Sequence, residues 1–440
     1  MFRHPIVKRL AVAASAALAA GLVALGLDLY EPILTAVRPW AHSVVFAASA
    51  AMLAFLLWRG RGARRGITGR ALLVLWCLPP LAMVAADLID RGDRDAVARA
   101  EGPQARELGR HFIVGYTRRD EVAPLAARGL IAGVYITHHN IAGRTAADLK
   151  SEIADLQALR RAAGLPPLIV AADQEGGIVS HLSPQLTALP ALATLADLAP
   201  DARASRAREF GEIQGRELHD LGVTMNFAPV VDLRTAAARR HVDLNSLISQ
   251  RAISGDPAIV TEIAGNYIRG LNAQQVAGTI KHFPGLGRAA ADTHLFSARI
   301  DAPLAELEDT DWKPFRALLG ATTGAGLMVG HATVTALDPE RPASLSKRVI
   351  TDMIRGAWGY DGVIVTDDLV MGAVYRTGIC DAAIAALNAG VDLLLIAYDG
   401  AQYDRAFPCA LAALGRGEID AAMLRASAAR LGDRGAAAGD

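Results

Sequence analysis

The chain has 440 residues, enough to bury one large core or two modest ones, and its 45 Lys and Arg balance 45 Asp and Glu. A chain with no net charge carries no field that points to nucleic acid or to an acidic partner. Its three cysteines (Cys77, Cys380 and Cys409) exclude a disulfide scaffold and a thiolate zinc cluster.

The first ninety residues differ from the rest. Leu10–Leu27, Pro39–Trp58 and Ala71–Ala86 are free of Asp, Glu, Lys and Arg. A membrane span needs roughly 20 apolar residues, so the third run is slightly short on its own. Tyr30, Trp40, Trp58 and Trp76 fall at or near segment ends, where amphipathic rings settle at an interface. Arg3, Lys8 and Arg9 precede the first run. Arg59, Arg61, Arg64, Arg65 and Arg70 crowd the link between the second and third, while the other link has only Arg38. The positive-inside rule then puts the N-terminus and the Arg-rich link in the cytoplasm, and everything after Ala86 outside. The competing reading is a cleaved signal peptide followed by two buried helices; an Arg-rich link between apolar runs argues against it. The expected organisation is a transmembrane region at 1–90, a linker at 91–110, a folded domain at 111–433 and a tail at 434–440. Asp87 to Gly109, polar and mixed in sign, reads as a partly helical tether.

From His111 on, short apolar runs alternate with amphipathic segments. The runs are Phe112–Thr117, Gly133–Thr137, Leu168–Asp173, Val223–Pro229, Val276–His282, Leu327–His331, Gly362–Asp367 and Asp392–Ala397. Helical patterns lie between them at Ala146–Ala163, Ala204–Leu221, Ala258–Ala273, Leu304–Leu319, Ser346–Trp358 and Cys380–Ala389, with Pro408–Leu414 after the last. Eight buried strands separated by helices predict an α/β fold, a (β/α)8 TIM-type barrel. An open doubly wound sheet is the alternative, but no G-x-G-x-x-G follows the first run.

In such a barrel, reacting groups gather at the C-terminal strand ends. That criterion selects His138, His139, Asp173, Asp232, Lys281, His282, His331, Asp367 and Asp368. The stretch Lys281–His294 (KHFPGLGRAAADTH) stands out, because an apolar run there opens into a Gly-rich loop ending in Asp292 and His294. Two chemistries use such a set: glycoside hydrolysis by a nucleophile and a proton donor, or metal-assisted hydrolysis. The chain has neither H-x-H nor H-E-x-x-H, so no metal is expected. Taken alone, Asp292 and His294 read more readily as a surface salt bridge on the loop.

The ordered motifs resemble glycoside hydrolase family 3, in its bacterial β-N-acetylglucosaminidase branch with a single barrel. They are DQEGG at Asp173–Gly177, NFAPVVDL at Asn226–Leu233, Arg251 before GDP, KHFPGLG and ADTH within Lys281–His294, His331 with ALDPERPASLS, and GVIVTDDLVM at Gly362–Met371. The resemblance spans about 320 residues and leaves out the apolar N-terminus. It implies Asp367 as nucleophile and His294 as general acid/base, oriented by Asp292. An ionised carboxylate is what a glycosyl–enzyme ester requires, and an imidazole titrating near pH 6.5 can give and then retake a proton. Strand alternation sends Asp367 and Asp368 to opposite faces, leaving Asp368 as a hydrogen-bonding support. Substrate contacts carry over to Asp173, Arg251, Lys281 and His282, with His331 in the pocket wall. No cofactor is implied.

Three positions depart from the pattern. Leu286 replaces the second His of KHFPGHG, Ile178 and His181 stand where R-x-x-R commonly follows DQEGG, and His139-Asn140 replaces a strand-end Arg-Asn. His181 is counted among the substrate contacts. Fewer fixed cations leave the exact glycan open. The expectation is a membrane-anchored retaining β-glycosidase facing the periplasm, acting on a β-linked amino-sugar glycan of cell-wall type. The alternatives are a β-glucosidase-like or phosphorolytic member, since a neutral acid/base admits an anionic acceptor, or a membrane-tethered glycan-binding protein without turnover. In that oxidising setting Cys380 and Cys409, near the starts of neighbouring helices, are candidates for a disulfide.

Overall fold

The computed structural model describes residues 5–59, 66–235, 246–289, 291–294, 296–320, 324–375 and 377–437. Arg3, Arg61, Arg64 and Arg65 of the charge pattern, and residues 438–440 of the expected tail, lie outside these. The chain divides into two units, Met1–Arg99 and Ala100–Asp440.

The first unit is three helices, α1 (Pro5–Leu27), α2 (Arg38–Arg59) and α3 (Ile67–Arg99). At about 1.5 Å per residue each exceeds the roughly 30 Å of a bilayer's hydrocarbon core. The third apolar run, short by itself, is the first part of a 33-residue helix that continues unbroken through the polar segment to Arg99. Much of the expected tether is therefore regular helix. Leu29, Ala41, Val45 and Met83 pack between the helices, while Leu10, Trp40, Trp58 and Ile67 stay exposed. Polar groups pair inside the unit: Tyr30 donates to Asp87 at 2.8 Å, His42 lies 3.0 Å from the same carboxylate, and Trp76 donates to Ser15 at 3.0 Å.

The second unit contains eight parallel strands, one in each expected run: β1 (Phe112–Gly115), β2 (Gly133–Ile136), β3 (Ile169–Ala172), β4 (Met225–Asn226), β5 (Ala277–Phe283), β6 (Gly326–Val329), β7 (Ile364–Thr366) and β8 (Leu394–Ile396). Their order is β7-β6-β5-β4-β3-β2-β1-β8. The edges β7 and β8 meet at a parallel bridge between Val365 and Leu393, giving a nearly closed barrel. Strands buried on both faces read as unbroken apolar runs, which is why they were visible in the sequence. Alternation divides their side chains. Ile113, Tyr135, Ala171, Met225, Met328, Val365 and Leu395 share one core cluster. Phe112 packs edge-on against Tyr403 and Phe407 of the helix Tyr403–Gly415, with centroids 5.4 and 5.9 Å away.

The connecting helices depart from expectation in detail. The pattern at Leu304–Leu319 is two helices, Leu304–Asp309 and Lys313–Gly320, interrupted where Thr310 closes the first turn and Trp312 is fully buried. The segment at Ser346–Trp358 is a π-helix, Arg348–Ala357. A further helix, Ala421–Ala437, follows the last expected one. Two features secure β8. The buried carboxylate of Asp392, just ahead of it, accepts from Arg355 (2.5 Å), Arg430 (2.9 Å) and the Ile364 amide (2.8 Å). Cys380 and Cys409 are disulfide-bonded with Cα atoms 5.8 Å apart, joining the helices on either side of the strand.

Candidate active site

The strand ends converge on a polar cleft. Its wall is built from β3, β5 and the short helix Ile248–Arg251. Asp173 follows β3, and the chain then doubles back in a small hairpin, Gln174–Gly176 against Val179–Ser180. Gly176 has φ +91°, a conformation that favours glycine, and a Cβ there would crowd the Pro190 carbonyl at 2.7 Å. This turn carries Glu175 inward to meet Arg251.

The result is an interlocked set of charges. Arg251 grips Glu175 with two bonds, Nε to Oε2 at 3.0 Å and Nη2 to Oε1 at 2.6 Å. Lys281 donates to Glu175 Oε1 at 2.6 Å and to Asp173 Oδ1. Tyr135 donates to the other oxygen of Asp173 at 2.6 Å, and its hydroxyl lies 3.3 Å from His181 Nδ1. Burial alone would raise the Asp173 and Glu175 pKa values. Lys281 beside Asp173, and Arg251 and Lys281 beside Glu175, instead hold both carboxyls below their usual range. Burial likewise opposes charge on Lys281, but Asp173 and Glu175 more than offset it and keep the ammonium protonated.

His282 is aimed by Asp232, a fully buried carboxylate at the end of NFAPVVDL. Oδ2 of Asp232 takes the His282 Nδ1–H at 2.7 Å and the His282 backbone N–H at 3.2 Å, while Oδ1 takes the Leu286 amide at 2.6 Å. Its other ring nitrogen, Nε2, lies 3.3 Å from Arg251 Nη2. Position 286 therefore contributes through its backbone, which a Leu supplies as well as a His. Gly287 next to it must lack a side chain, because a Cβ would run into the Leu233 carbonyl oxygen.

Asp367 follows β7 on the facing side. Its amide donates to the Val329 carbonyl at 2.9 Å, and its Oδ1 accepts the Asp368 N–H at 2.8 Å. Burial raises its pKa, but the imidazoles of His282, His331 and His294 more than offset this and keep it a carboxylate. Asp368 is turned elsewhere, its carboxylate accepting from the amides of Val370, Ala397 and Tyr398 at 3.2, 3.0 and 2.7 Å. Burial still pushes it up to about 6. Identical neighbours in sequence thus have opposite surroundings. His331 is buried with both ring nitrogens committed, Nδ1 at 2.7 Å from Ser344 Oγ and Nε2 at 2.9 Å from the Asp368 carbonyl. Burial depresses its pKa, and with both nitrogens bonded it offers the cleft a ring and not a free donor.

The loop after β5 brings in His294. Asp292 Oδ1 accepts its Nδ1–H and its backbone N–H, both at 2.9 Å. The loop is tied to the segment following Asp367 by Gly372 N–H to the His294 carbonyl (2.8 Å) and Ala373 N–H to the Thr293 carbonyl (3.2 Å). The His294 side chain is 39% exposed, so its remaining nitrogen can meet a ligand. Burial disfavours its charged form, but the Asp292 hydrogen bond and the Asp367 charge outweigh that and raise its pKa.

Of the nine residues expected at the site, hydrogen bonds and ion pairs join Asp173, Arg251, Lys281, His282 and His181 through Tyr135 and Glu175, Asp292 is bonded to His294, and the charges of His282, His331 and His294 act on Asp367. Two further residues complete the wall: Glu175, which the sequence did not single out, and Asp232, which its strand end marked without giving it a role. Glu175 lay in view inside DQEGG, but its role depends on Arg251, 76 residues away. Asp232 closes an apolar run 50 residues before the His that it orients. For Asp232 the signal, an acidic residue closing an apolar run, was legible, and what stayed hidden was its partner; for Glu175 only the motif DQEGG pointed to it.

Residues 104–433 match the sequence profile of the glycosyl hydrolase family 3 N-terminal domain. A β-hexosaminidase of Xanthomonas euvesicatoria is 35% identical over 272 residues, covering 61% of this chain and 77% of the relative. One from Nitrosomonas eutropha is 34% identical over 291 residues, covering 65% and 79%. Among solved structures, a family 3 glycosyl hydrolase from Mycobacterium smegmatis superposes with TM-score 0.67 at 33% identity, over 77% of this chain and 98% of that one. A family 3 β-N-acetylglucosaminidase from a Paenibacillus species gives 0.68 at 30% identity, over 76% of this chain and 62% of that longer one. With three quarters of its length inside the family profile and this barrel beneath it, the chain belongs to glycosyl hydrolase family 3 and is a hydrolase of glycosidic bonds.

Proposed function

We propose that this enzyme is a retaining, exo-acting β-N-acetylglucosaminidase for cell-wall-type glycans, with Asp367 as nucleophile and His294 as general acid/base. The observation that carries this reading is the pairing of an ionised Asp367 with a half-exposed imidazole fixed by Asp292. The ionised carboxylate attacks the anomeric carbon while His294 Nε2–H protonates the departing oxygen, leaving a glycosyl ester on Asp367. Water then attacks that ester, giving its proton to His294 and releasing the sugar with its configuration retained. Asp292 holds the tautomer that leaves Nε2 facing the bond. Asp173, Arg251, Lys281 and His282 supply fixed charges and donors for sugar hydroxyls and the acetamido oxygen. The β-hexosaminidase relatives support the choice of an amino sugar.

The three N-terminal helices anchor the enzyme in a lipid bilayer, with 1–90 as the membrane region, 91–110 as linker and 111–433 as the catalytic domain outside the cytoplasm. Their length and exposed apolar side chains support this, as does the Cys380–Cys409 bond, a type that persists outside reducing compartments.

The test is hydrolysis of 4-nitrophenyl β-N-acetylglucosaminide beside the matching β-glucoside. Preference for the amino sugar is expected, together with retained configuration and a fluorosugar label on Asp367. A label on another residue, or an inverted product, overturns the mechanism. Faster turnover with added phosphate and release of a sugar phosphate would favour phosphorolysis.

A further inference from the structure

Next to the cleft wall three imidazoles stand together, of which the sequence expected only His181 among the substrate contacts. His138 and His139 open the short helix His138–Ile141, which follows β2, and His181 sits on the hairpin following β3. The His138 and His139 rings lie with centroids 3.8 Å apart, and His138 faces His181 edge-on at 5.9 Å. His138 and His139 are exposed and His181 half-buried. Among the described residues the only hydrogen bond to any of these rings joins His181 Nδ1 to Tyr135, at 3.3 Å. Tyr135 in turn holds Asp173, so the group borders the proposed sugar-binding wall directly.

Rings packed this closely disfavour being charged together. Two imidazoles in near contact repel when both are charged, and burial and its two neighbours depress His138. Around His181 stand Asp173 and Glu175 against Lys281, Arg251 and Tyr135, with burial the largest influence and its pKa lowered. His139 is faced by His138. An anion changes the balance, because each proton taken up then creates an attractive partner in place of an unpaired repulsion. Five ring nitrogens without internal partners are available to it. From the placement of these rings beside Asp173 we infer that His138, His139 and His181 form a subsite for an anionic group, carboxylate or phosphate, on the sugar substrate, occupied with proton uptake. This rests on the glycosidase reading for what the substrate is, but not for whether the anion binds.

Linkage fixes the sign. An anion that binds with uptake of one proton loses affinity by roughly tenfold per pH unit above the imidazole range, while a neutral sugar does not. The experiment measures dissociation constants by calorimetry on the full detergent-solubilised chain at pH 5.5, 6.5 and 7.5. The probes are N-acetylglucosamine, its 3-O-lactyl ether (a carboxylate) and its 6-phosphate. The ratio of anionic to neutral affinity is expected to fall at least fivefold between pH 6.5 and 7.5 for one anionic sugar, and which one shows it identifies the group. In buffers of different ionisation enthalpy, the same sugar should show proton uptake. His138→Gln with His139→Gln should flatten the ratio across pH, and His181→Arg, a fixed cation, should keep it high at pH 7.5. A ratio independent of pH in the unaltered protein, or a pH dependence unchanged by these substitutions, overturns the subsite. Failure to hydrolyse the chromogenic amino sugar while the ratio still responds to pH overturns the β-N-acetylglucosaminidase reading alone.

Discussion

The two sides of the cleft are built on different principles. The wall at β3 and β5 is a chain of paired charges, Arg251–Glu175–Lys281–Asp173, with Glu175 and Lys281 buried, Arg251 and Asp173 half-buried, and each charge paired with an opposite one. The facing side presents Asp367 at a strand end and His294 on a loop, the latter well exposed and held by one carboxylate. Charges that only bind can be locked from all sides, since their protonation never has to change. A group that must give and regain a proton needs a pKa near the working pH and one nitrogen left free. On the proposed reading binding and proton transfer fall to separate elements, so substitutions on the two sides should fail in different ways.

The sharpest break comes at Asp367→Asn, which should lower kcat by about 10⁴-fold or more while thermal stability holds. Near-normal kcat in that variant would remove the nucleophile from the reacting side. His294→Ala should cost about 10²- to 10⁴-fold, and less for aryl leaving groups that need little protonation. A loss equal across leaving groups would mean that His294 does not act as the acid.

On the wall, Glu175→Gln leaves Arg251 and Lys281 sharing Asp173. Breaking a buried pair by removing one partner costs about 3 to 5 kcal/mol. The expected signature is a lower unfolding midpoint with a raised KM, and a fall in kcat alone would erase the distinction drawn here. The smallest effect is expected from Asp292→Asn. His294 must be protonated for the first step, so kcat/KM falls as pH rises through its raised pKa. Removing the Asp292 charge lets burial dominate, and the basic limb should move to lower pH, with roughly tenfold less activity per unit beyond it. A limb moving to higher pH would contradict the sign.

Much of this was legible in the chain, for reasons that differ by region. The barrel strands showed because burial on both faces leaves no polar residue to break a run such as Leu394–Ile396. Strand ends showed because a charge following such a run has few places to go. Asp367 and Asp368 were separable by alternation before any contact was known. Pairing was not legible, because Lys281 meets Asp173 across 108 residues and nothing local marks that closure. The helix Ala421–Ala437 escaped notice because its Ala-rich, Arg-studded sequence carries only a weak apolar stripe. The third apolar run looked short because hydropathy ends where the polar part of the same helix begins.

The covalent link between Cys380 and Cys409 has a consequence for how the enzyme tolerates its surroundings. It loops around β8, the strand that must find β1 some 280 residues earlier before the circle of strands is complete. Tying the flanking helices shortens the free chain that this late encounter has to order. A thiol reductant should therefore act first as a local stress, with faster amide exchange at Leu394–Ile396 and its β1 partners ahead of any change across β3 to β5. The enzyme's durability would then be set by the redox state of the fluid bathing it.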